Sequence, residues 1–327
     1  MATTGALNQD ALTPPSRGES FVRRFRADEE LAYLVTLTAA AAVFLITALV
    51  WYELFAQSSL SRHKFGWGFL FTSTWDPIAG TFGALPFIYG TVVTSALALL
   101  IAVPQGLGAA IFLAEMAPPR ISNALTFLIE LLAAVPSVIY GLLGIFILVP
   151  ILQKSVVPAL KAVLGELPIF QGAFYGVSTF SAGIVLSVMI LPFIVSVSRE
   201  VLLSVPRDQR EASLALGASQ WQTTWRVVVP NASSGIMGSI FLALARALGE
   251  TMAVTMVIGN TPQIKASLLA PGYSIAAVIA NEFTEATGDL YLSALIELGL
   301  VLFGVTFVLN GLARILILTT SRGGAHS

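Results

Sequence analysis

The chain has 327 residues, 56% of them hydrophobic and 11% charged, with a net charge of −1. A water-facing surface carries about a quarter to a third charged residues, so this composition excludes an ordinary soluble protein and points to lipid as the solvent. Cysteine is absent, which excludes disulfides, thiolate metal sites and cysteine nucleophiles.

Residues 1–30 are polar, with Pro14, Pro15, Ser16 and Gly18 followed by Arg23, Arg24 and Arg26. A cleaved secretory signal would place its apolar run closer to the start and follow it with small residues. The expectation is a cytoplasmic tail over 1–30 and a retained first helix. A transmembrane helix needs about 20 mostly apolar residues, and six windows qualify: 31–55, 88–114, 125–152, 180–203, 231–258 and 291–318. Helix is the form that satisfies its own backbone hydrogen bonds in lipid. Pro104, Pro136 and Pro192 fall inside these windows and should kink their helices. The predicted fold class is an all-α integral membrane protein of about six transmembrane helices. Its transmembrane domain spans 31–318, and a second tail covers 319–327.

Orientation follows from the basic residues. With the N-terminus inside, the inner segments hold Arg17, Arg23, Arg24, Arg26, Arg120, Arg199, Arg207, Arg210, Arg226, Arg314 and Arg322, while the outer loops hold Arg62, Lys64, Lys154, Lys161 and Lys265. Both termini are therefore placed in the cytoplasm, and the membrane is the cell inner membrane. In the outer segment 56–86, Phe65, Trp67, Phe69 and Phe71 alternate with other residues and Trp75 follows. An aromatic belt at the interface is the first reading, and a docking surface for an external partner the second. Glu130 lies in the third window, within reach of an end. His63 and His326 sit in a loop and a tail, so no metal site and no cofactor is expected.

The inner loop 204–230 is the most informative stretch. Arg207 to Leu216 reads as a short helix, and Gly217 supplies the positive φ that ends it. Ser219 is a good N-cap for a second short helix, which Pro230 should close as the next span begins. Leu214, Leu216, Trp221 and Trp225 give this polar loop more apolar surface than water favours, so a cytoplasmic partner is expected to cover it. These residues also resemble the loop of ABC importer permeases, Glu-Ala-Ala, three residues, Gly, nine residues, then Ile-x-Leu-Pro. Here Glu211-Ala212-Ser213 is followed at the right offset by Gly217, and nine residues later by Val227-Val228-Val229-Pro230. The resemblance implies a type I ABC importer permease fold in which the two-helix coupling loop docks on an ATPase. The chain has no Gly-x-x-x-x-Gly-Lys-Ser/Thr loop, and none of its four lysines follows a glycine, so ATP hydrolysis is assigned to a separate subunit.

The fifth window contains Arg246 and, four residues on, Glu250. An arginine deep in a span costs about 2.5–3.5 kcal/mol on insertion scales. On one continuous helix the two side chains would share a face and pair. They either lock helices together or line a pathway, where Arg246 would offer a fixed positive charge to a passing anion. Glu250 would then hold the guanidinium or keep the anion from staying. Glu297 in the sixth window, like Glu130, is a weaker candidate for contact with cargo.

A second resemblance rests on Arg246 to Val254 (Arg-Ala-Leu-Gly-Glu-Thr-Met-Ala-Val), with Ile258-Gly259-Asn260, and on the runs Phe82–Thr91 and Glu130–Gly141. These stretches resemble the PstC family of phosphate-importer permeases over roughly residues 30–318. The partner PstA family shares the Arg-Ala-x-Gly-Glu-Thr core, but the Met-Ala-Val continuation favours PstC. The resemblance implies pairing with a second, PstA-like permease, two PstB-like ATPase subunits, and inorganic phosphate delivered by a PstS-like periplasmic binding protein. It also implicates the positions of Arg246 and Glu250 in transport. A permease for another cargo, the PstA-type partner itself, and a membrane-embedded phosphate-signalling or scaffold protein are the alternatives.

Overall fold

A computed structural model describes residues 17–323; residues 1–16 and 324–327, which belong to the two expected tails, lie outside it. Helix is the regular element throughout the described residues, beside one isolated antiparallel bridge between Asp76 and Thr81. The chain divides into two units, 1–53 and 54–327. In the first unit the described residues belong to α1 (Arg17–Gln57), which runs on into the second. The helix therefore begins well before the apolar run that starts at Leu31, inside the stretch expected to be a tail.

The second unit opens with two short helices, α2 (Ser59–Phe65) and α3 (Gly68–Phe71), before α4 (Leu85–Ile111). A π-helical turn, Phe112–Met116, extends α4 and is followed by α5 (Pro119–Ala133). A continuous rod over 137–164 contains α6 (Ser137–Leu143), α7 (Val149–Ile151) and α8 (Val157–Leu164), joined by the π turns Gly144–Leu148 and Leu152–Val156. Then come α9 (Thr179–Leu203), α10 (Arg207–Ala215) and α11 (Gln220–Thr223). A further π turn, Thr224–Val228, leads into α12 (Val229–Leu248), and α13 (Met252–Val257), α14 (Ile275–Glu282) and α15 (Asp289–Gly323) complete the order.

Six helical stretches are long and apolar enough to cross a membrane: Leu31–Gln57, Leu85–Met116, Ser137–Leu164, Thr179–Leu203, Gln220–Leu248 and Asp289–Leu312. Their number agrees with the sequence, but two boundaries do not. The third span was expected over 125–152 and lies over 137–164. Pro136 is not inside it but stands at its N-cap, extended at φ −57° and ψ 139°. A proline disfavours helix at the residue before it, so the apolar run is divided and its first part becomes the separate helix α5. The fifth span was expected over 231–258; it begins earlier, at Gln220, and stops at Leu248.

Proline explains much of the remaining irregularity. Four π turns each end two residues before a proline: Pro118, Pro150, Pro158 and Pro230. Proline has no N–H, and its ring meets the carbonyl four residues back. A π turn widens the backbone where that carbonyl would otherwise collide. Pro230 therefore does not close the second elbow helix, as the sequence suggested, but sits in the first turn of α12 on an unbroken rod from Gln220. Asn231 Nδ2 donates to the Val227 carbonyl at 2.8 Å within the disturbed turn. Pro104 and Pro192 lie inside α4 and α9 as expected.

α9 is the centre of the bundle. Ala182, Leu186, Ile190 and Ile194 on it are fully buried, packed with Ala98 and Ala102 of α4, Tyr140 of α6, Ala243 and Ala247 of α12, and Val254 and Val257 of α13. The first N–H groups of a helix have no partner within it. At the start of α9 they are met from the 258–274 segment and the end of α13: Ser178 N donates to Val257 O at 2.9 Å, Thr179 N to Ala270 O at 3.1 Å, and Phe180 N to Leu268 O at 2.8 Å. The same segment lies against α4 at Gly90, where a Cβ would stand 2.1 Å from the Tyr273 carbonyl oxygen. Only a residue without a side chain permits that approach.

Gly90→Ala should therefore push the 258–274 segment off α4. Overpacking of this kind costs about 1–3 kcal/mol, and the thermal midpoint of the purified protein in detergent should fall accordingly. An unchanged midpoint would show that the segment moves aside freely.

Candidate functional site

The elbow between α9 and α12 forms as two helices at a corner. α10 ends at Ala215 with Leu216 as its C-cap, and Gly217 turns the chain at φ +87°. Ser219 then caps α11: its hydroxyl accepts from Gln222 N at 3.2 Å, and Gln222 Oε1 accepts from Ser219 N at 2.9 Å, a reciprocal capping box. Ser213 and Thr223 bond across the corner at 3.0 Å, a contact the replacement of alanine by serine in the loop pattern makes possible. Glu211, Ala212, Gly217 and Pro230 are all exposed. Leu214, Leu216, Trp221 and Trp225 are also exposed, Leu216 by 90%, and the two indoles meet edge-on at 5.5 Å. An apolar surface of this kind on a polar elbow marks a place for a partner.

The elbow is also anchored at a point the sequence did not reveal. Arg210 on α10 pairs with Glu115, in the π turn after α4, at 2.9 Å between Nη2 and Oε1. The Glu115 side chain is 8% exposed and that of Arg210 18%. Arg210 also donates to the carbonyls of Leu202 and Val205, and the Gln220 side chain donates to the Glu115 carbonyl. From sequence, Arg210 is one more inner-facing basic residue. The available signal is Glu115 itself, a lone acid at the end of a long apolar run.

Arg246 and Glu250 stand on either side of a break. α12 ends at Leu248, Gly249 and Glu250 are not helical, and α13 begins at Met252. The expected pairing along one helix is therefore not made. Ion pairs form elsewhere, between Arg199 and Glu200 and between Arg210 and Glu115. Glu250 is turned to the next helix instead, where its Oε1 accepts from Ala253 N at 3.2 Å in the first turn of α13. The Arg246 guanidinium lies 4.1 Å from the ring centre of Phe193 on α9, a cation–π contact. Its Nε is shut off from solvent and makes no hydrogen bond. Tyr140, whose hydroxyl donates to Leu132 O at 2.7 Å, and Ala243 and Ala247 belong to the adjoining core. The result is a sheltered cation held by an aromatic face, with its charge uncompensated among the described residues. That arrangement suits recognition of an anion.

The two weaker carboxylates are elsewhere. Glu130 is exposed on α5, outside the spans. Glu297 is 5% exposed on α15, next to the buried Ser61 of α2, and its Oε2 has no hydrogen-bond partner. Its neighbours belong to the outer core of Phe69, Phe82, Phe87, Leu295 and Leu298, a different cluster from that around Arg246. The aromatics of 65–75 divide between packing and exposure. Phe69 is fully buried and Trp67 is 82% exposed. Trp75 packs edge-on against Phe82 and Phe87 with centres 4.8 Å apart. Glu282 accepts from Trp75 Nε1 at 2.8 Å and from the Tyr291 hydroxyl at 2.7 Å. Burial pushes the neighbouring Tyr273 phenol up from its ordinary range, and its hydroxyl accepts from Asn281 Nδ2 at 3.1 Å. Among the described residues no group of three or more His, Cys, Asp or Glu is placed to hold a metal ion.

Residues 106–321 match the family model described as "Binding-protein-dependent transport system inner membrane component". The chain is 45% identical over 307 residues to the "Phosphate transport system permease protein PstC" of Mesorhizobium japonicum, covering 93% of this chain and 94% of that one. It is 44% identical over 328 residues to the protein of that name from Xylella fastidiosa strain 9a5c, covering 98% of each. A "Probable phosphate transport system permease protein PstC" of Methanocaldococcus jannaschii is 35% identical over 283 residues, covering 85% of this chain and 90% of that one. Among solved structures, a chain of a bacterial alginate ABC transporter in complex with its pentasaccharide-bound periplasmic protein aligns at TM-score 0.55 and 16% identity, over 89% of this chain and 96% of that one. A chain of the MetNI methionine ABC transporter in an inward-facing form aligns at TM-score 0.53 and 15% identity, over 76% and 99%. The two structures speak to the fold alone: all-helical ABC importer permeases share it.

Removing the α11 cap isolates one element of the elbow. Ser219→Ala should cost about 0.5–2 kcal/mol of local stability, read as faster hydrogen exchange at the amides of 220–223 with exchange in α9 unchanged. Unchanged exchange at 220–223 would mean that packing, not the capping box, holds that helix.

Proposed function

We infer the function from one premise: the chain belongs to the binding-protein-dependent transport permeases, and within them to the PstC phosphate-transport permeases. It is a multi-pass membrane protein and the permease subunit of a phosphate ABC importer. We further propose that it sits in the cell inner membrane with both termini in the cytoplasm and forms half of the translocation path for inorganic phosphate. The other half comes from a PstA-like permease, two PstB-like subunits hydrolyse ATP, and a PstS-like protein supplies phosphate from outside. The chain itself performs no covalent chemistry.

The observation that carries the site assignment is the Arg246 guanidinium, sheltered over Phe193 with its donors uncommitted. An uncompensated cation in a span is costly, and a transported anion relieves that cost each time it passes. Glu250, committed to the first turn of α13, places a negative charge just beyond the cation and limits how tightly the anion is held. A site that releases its cargo needs that restraint.

Coupling follows from connectivity. The rod Gln220–Leu248 begins in the elbow and ends two residues past Arg246; at 1.5 Å per residue its 29 residues extend about 40 Å. The exposed Leu214, Leu216, Trp221 and Trp225 dock on the ATPase. When ATP closes the ATPase dimer, the elbow moves, and the rod carries Arg246 with it between inward- and outward-facing arrangements.

Two substitutions separate cargo recognition from docking. Arg246→Gln should abolish phosphate uptake while the complex still assembles; normal uptake would leave Arg246 a structural residue only. Gly217→Pro cannot adopt φ +87°, because the ring fixes φ near −65°. It should lose co-purification of the ATPase while inserting into the membrane normally. A complex that stayed whole would mean that the elbow is not the docking element.

A further inference from the structure

Docking alone does not transmit motion. The elbow joins the spans covalently at α9 and at the α12 rod, whereas the π turn that extends α4 to Met116 meets the elbow through side chains. The charged link on that route is the pair Glu115–Arg210, beside apolar packing of Ile111 and Leu113 with Val205 and Val228.

We propose that the Glu115–Arg210 ion pair is the strut that ties the ATPase-docking elbow to α4, so that displacement of the elbow becomes displacement of the transmembrane core. The proposal rests on the reading of the elbow as the docking element and assigns Glu115 and Arg210 as positioning residues for coupling. Three features support it. The pair is largely shielded from water, at 8% and 18% side-chain exposure, where charges are screened little. Arg210 is not free to swing, because its guanidinium also bonds to the carbonyls of Leu202 and Val205 at the end of α9. Arg210 thus joins three elements at one point: α10, the end of α9, and the π turn that closes α4. The Gln220 side chain adds a bond from α11 to the Glu115 carbonyl, so both elbow helices grip the same turn.

What α4 receives it passes on. α4 and α9 touch with almost no clearance: a Cβ at Gly106 would lie 2.8 Å from Ile194 Cγ2, and one at Gly183 2.5 Å from Leu97 Cδ2. Close-packed helices move as a body and transmit displacement rather than absorb it. α4 and α9 therefore form one unit that the strut sets against the docked elbow, while α12 moves directly as the elbow's continuation. The Arg199–Glu200 pair, by contrast, joins adjacent residues of α9 with Glu200 71% exposed, and links no two elements.

Glu115→Gln is the discriminating variant. The amide keeps the size of the side chain and leaves Arg210 bonded to Leu202 and Val205, but removes the charge pair. The complete importer should be reconstituted in vesicles with its binding protein, reading phosphate imported per ATP hydrolysed. Substitutions along a coupling route change it by an amount equal to about a two- to thirty-fold effect. The ratio should fall within that range while subunit stoichiometry stays normal, and Glu115→Asp should recover part of it. An unchanged ratio would overturn the proposal, and so would loss of the ATPase from the Glu115→Gln complex, since the pair would then only fold the elbow. Failure of the underlying reading looks different: Gly217→Pro would keep its ATPase, or the unmodified complex would import no phosphate.

Discussion

A backbone in lipid has no water to bond, and this structure is organised around that constraint. Every departure from a continuous helix has to return its freed N–H and C=O groups to the protein. Four prolines are absorbed by π turns that end two residues earlier, the orphan N–H groups opening α9 are met by carbonyls of Val257, Leu268 and Ala270, and the break after α12 is met by the carboxylate of Glu250 on Ala253 N. These repairs are what allow the chain to interrupt a span where function needs an irregular surface. The interruption at Gly249 is the consequential one. It ends the rod that starts in the elbow and leaves Arg246 in its last turn.

Two arginines show how environment divides roles between identical side chains. Arg210 is neutralised by Glu115 and bound to two carbonyls, and such a group serves geometry. Arg246 rests on an aromatic ring with an unpartnered Nε, and such a group keeps its charge available. An ion pair shields a cation from a passing anion, whereas the face of a ring orients it without cancelling its charge. Glu250 and Glu115 differ in the same way, the one spent on a helix start and the other on a partner across the fold.

The sequence made the six apolar spans legible because length and hydrophobicity alone decide them. The elbow was legible as well: Gly217 and Ser219 do locally what a turn glycine and an N-cap serine do anywhere. The divided third span was not, because Pro136 acts on a run whose hydrophobicity continues through it. The Arg246–Glu250 pairing failed for the same kind of reason: a spacing of four implies a shared face only on an unbroken helix, and Gly249 breaks this one. Glu115–Arg210, Arg246–Phe193 and Trp75–Glu282 join residues 53 to 207 positions apart. No periodicity encodes such contacts; they exist only once the helices are packed. The surface of Glu130 and the buried setting of Glu297 were hidden from the sequence by that same dependence.

The central claim is that this chain conducts phosphate as one half of an ATP-driven importer. The most direct measurement is uptake of radiolabelled phosphate by cells that lack their own high-affinity system and express the partner permease, the ATPase and the binding protein, with or without this chain. Uptake should appear only when the chain is present and should stop when ATP is depleted. An assembled complex that takes up no phosphate, or uptake that proceeds equally without the chain, would contradict it.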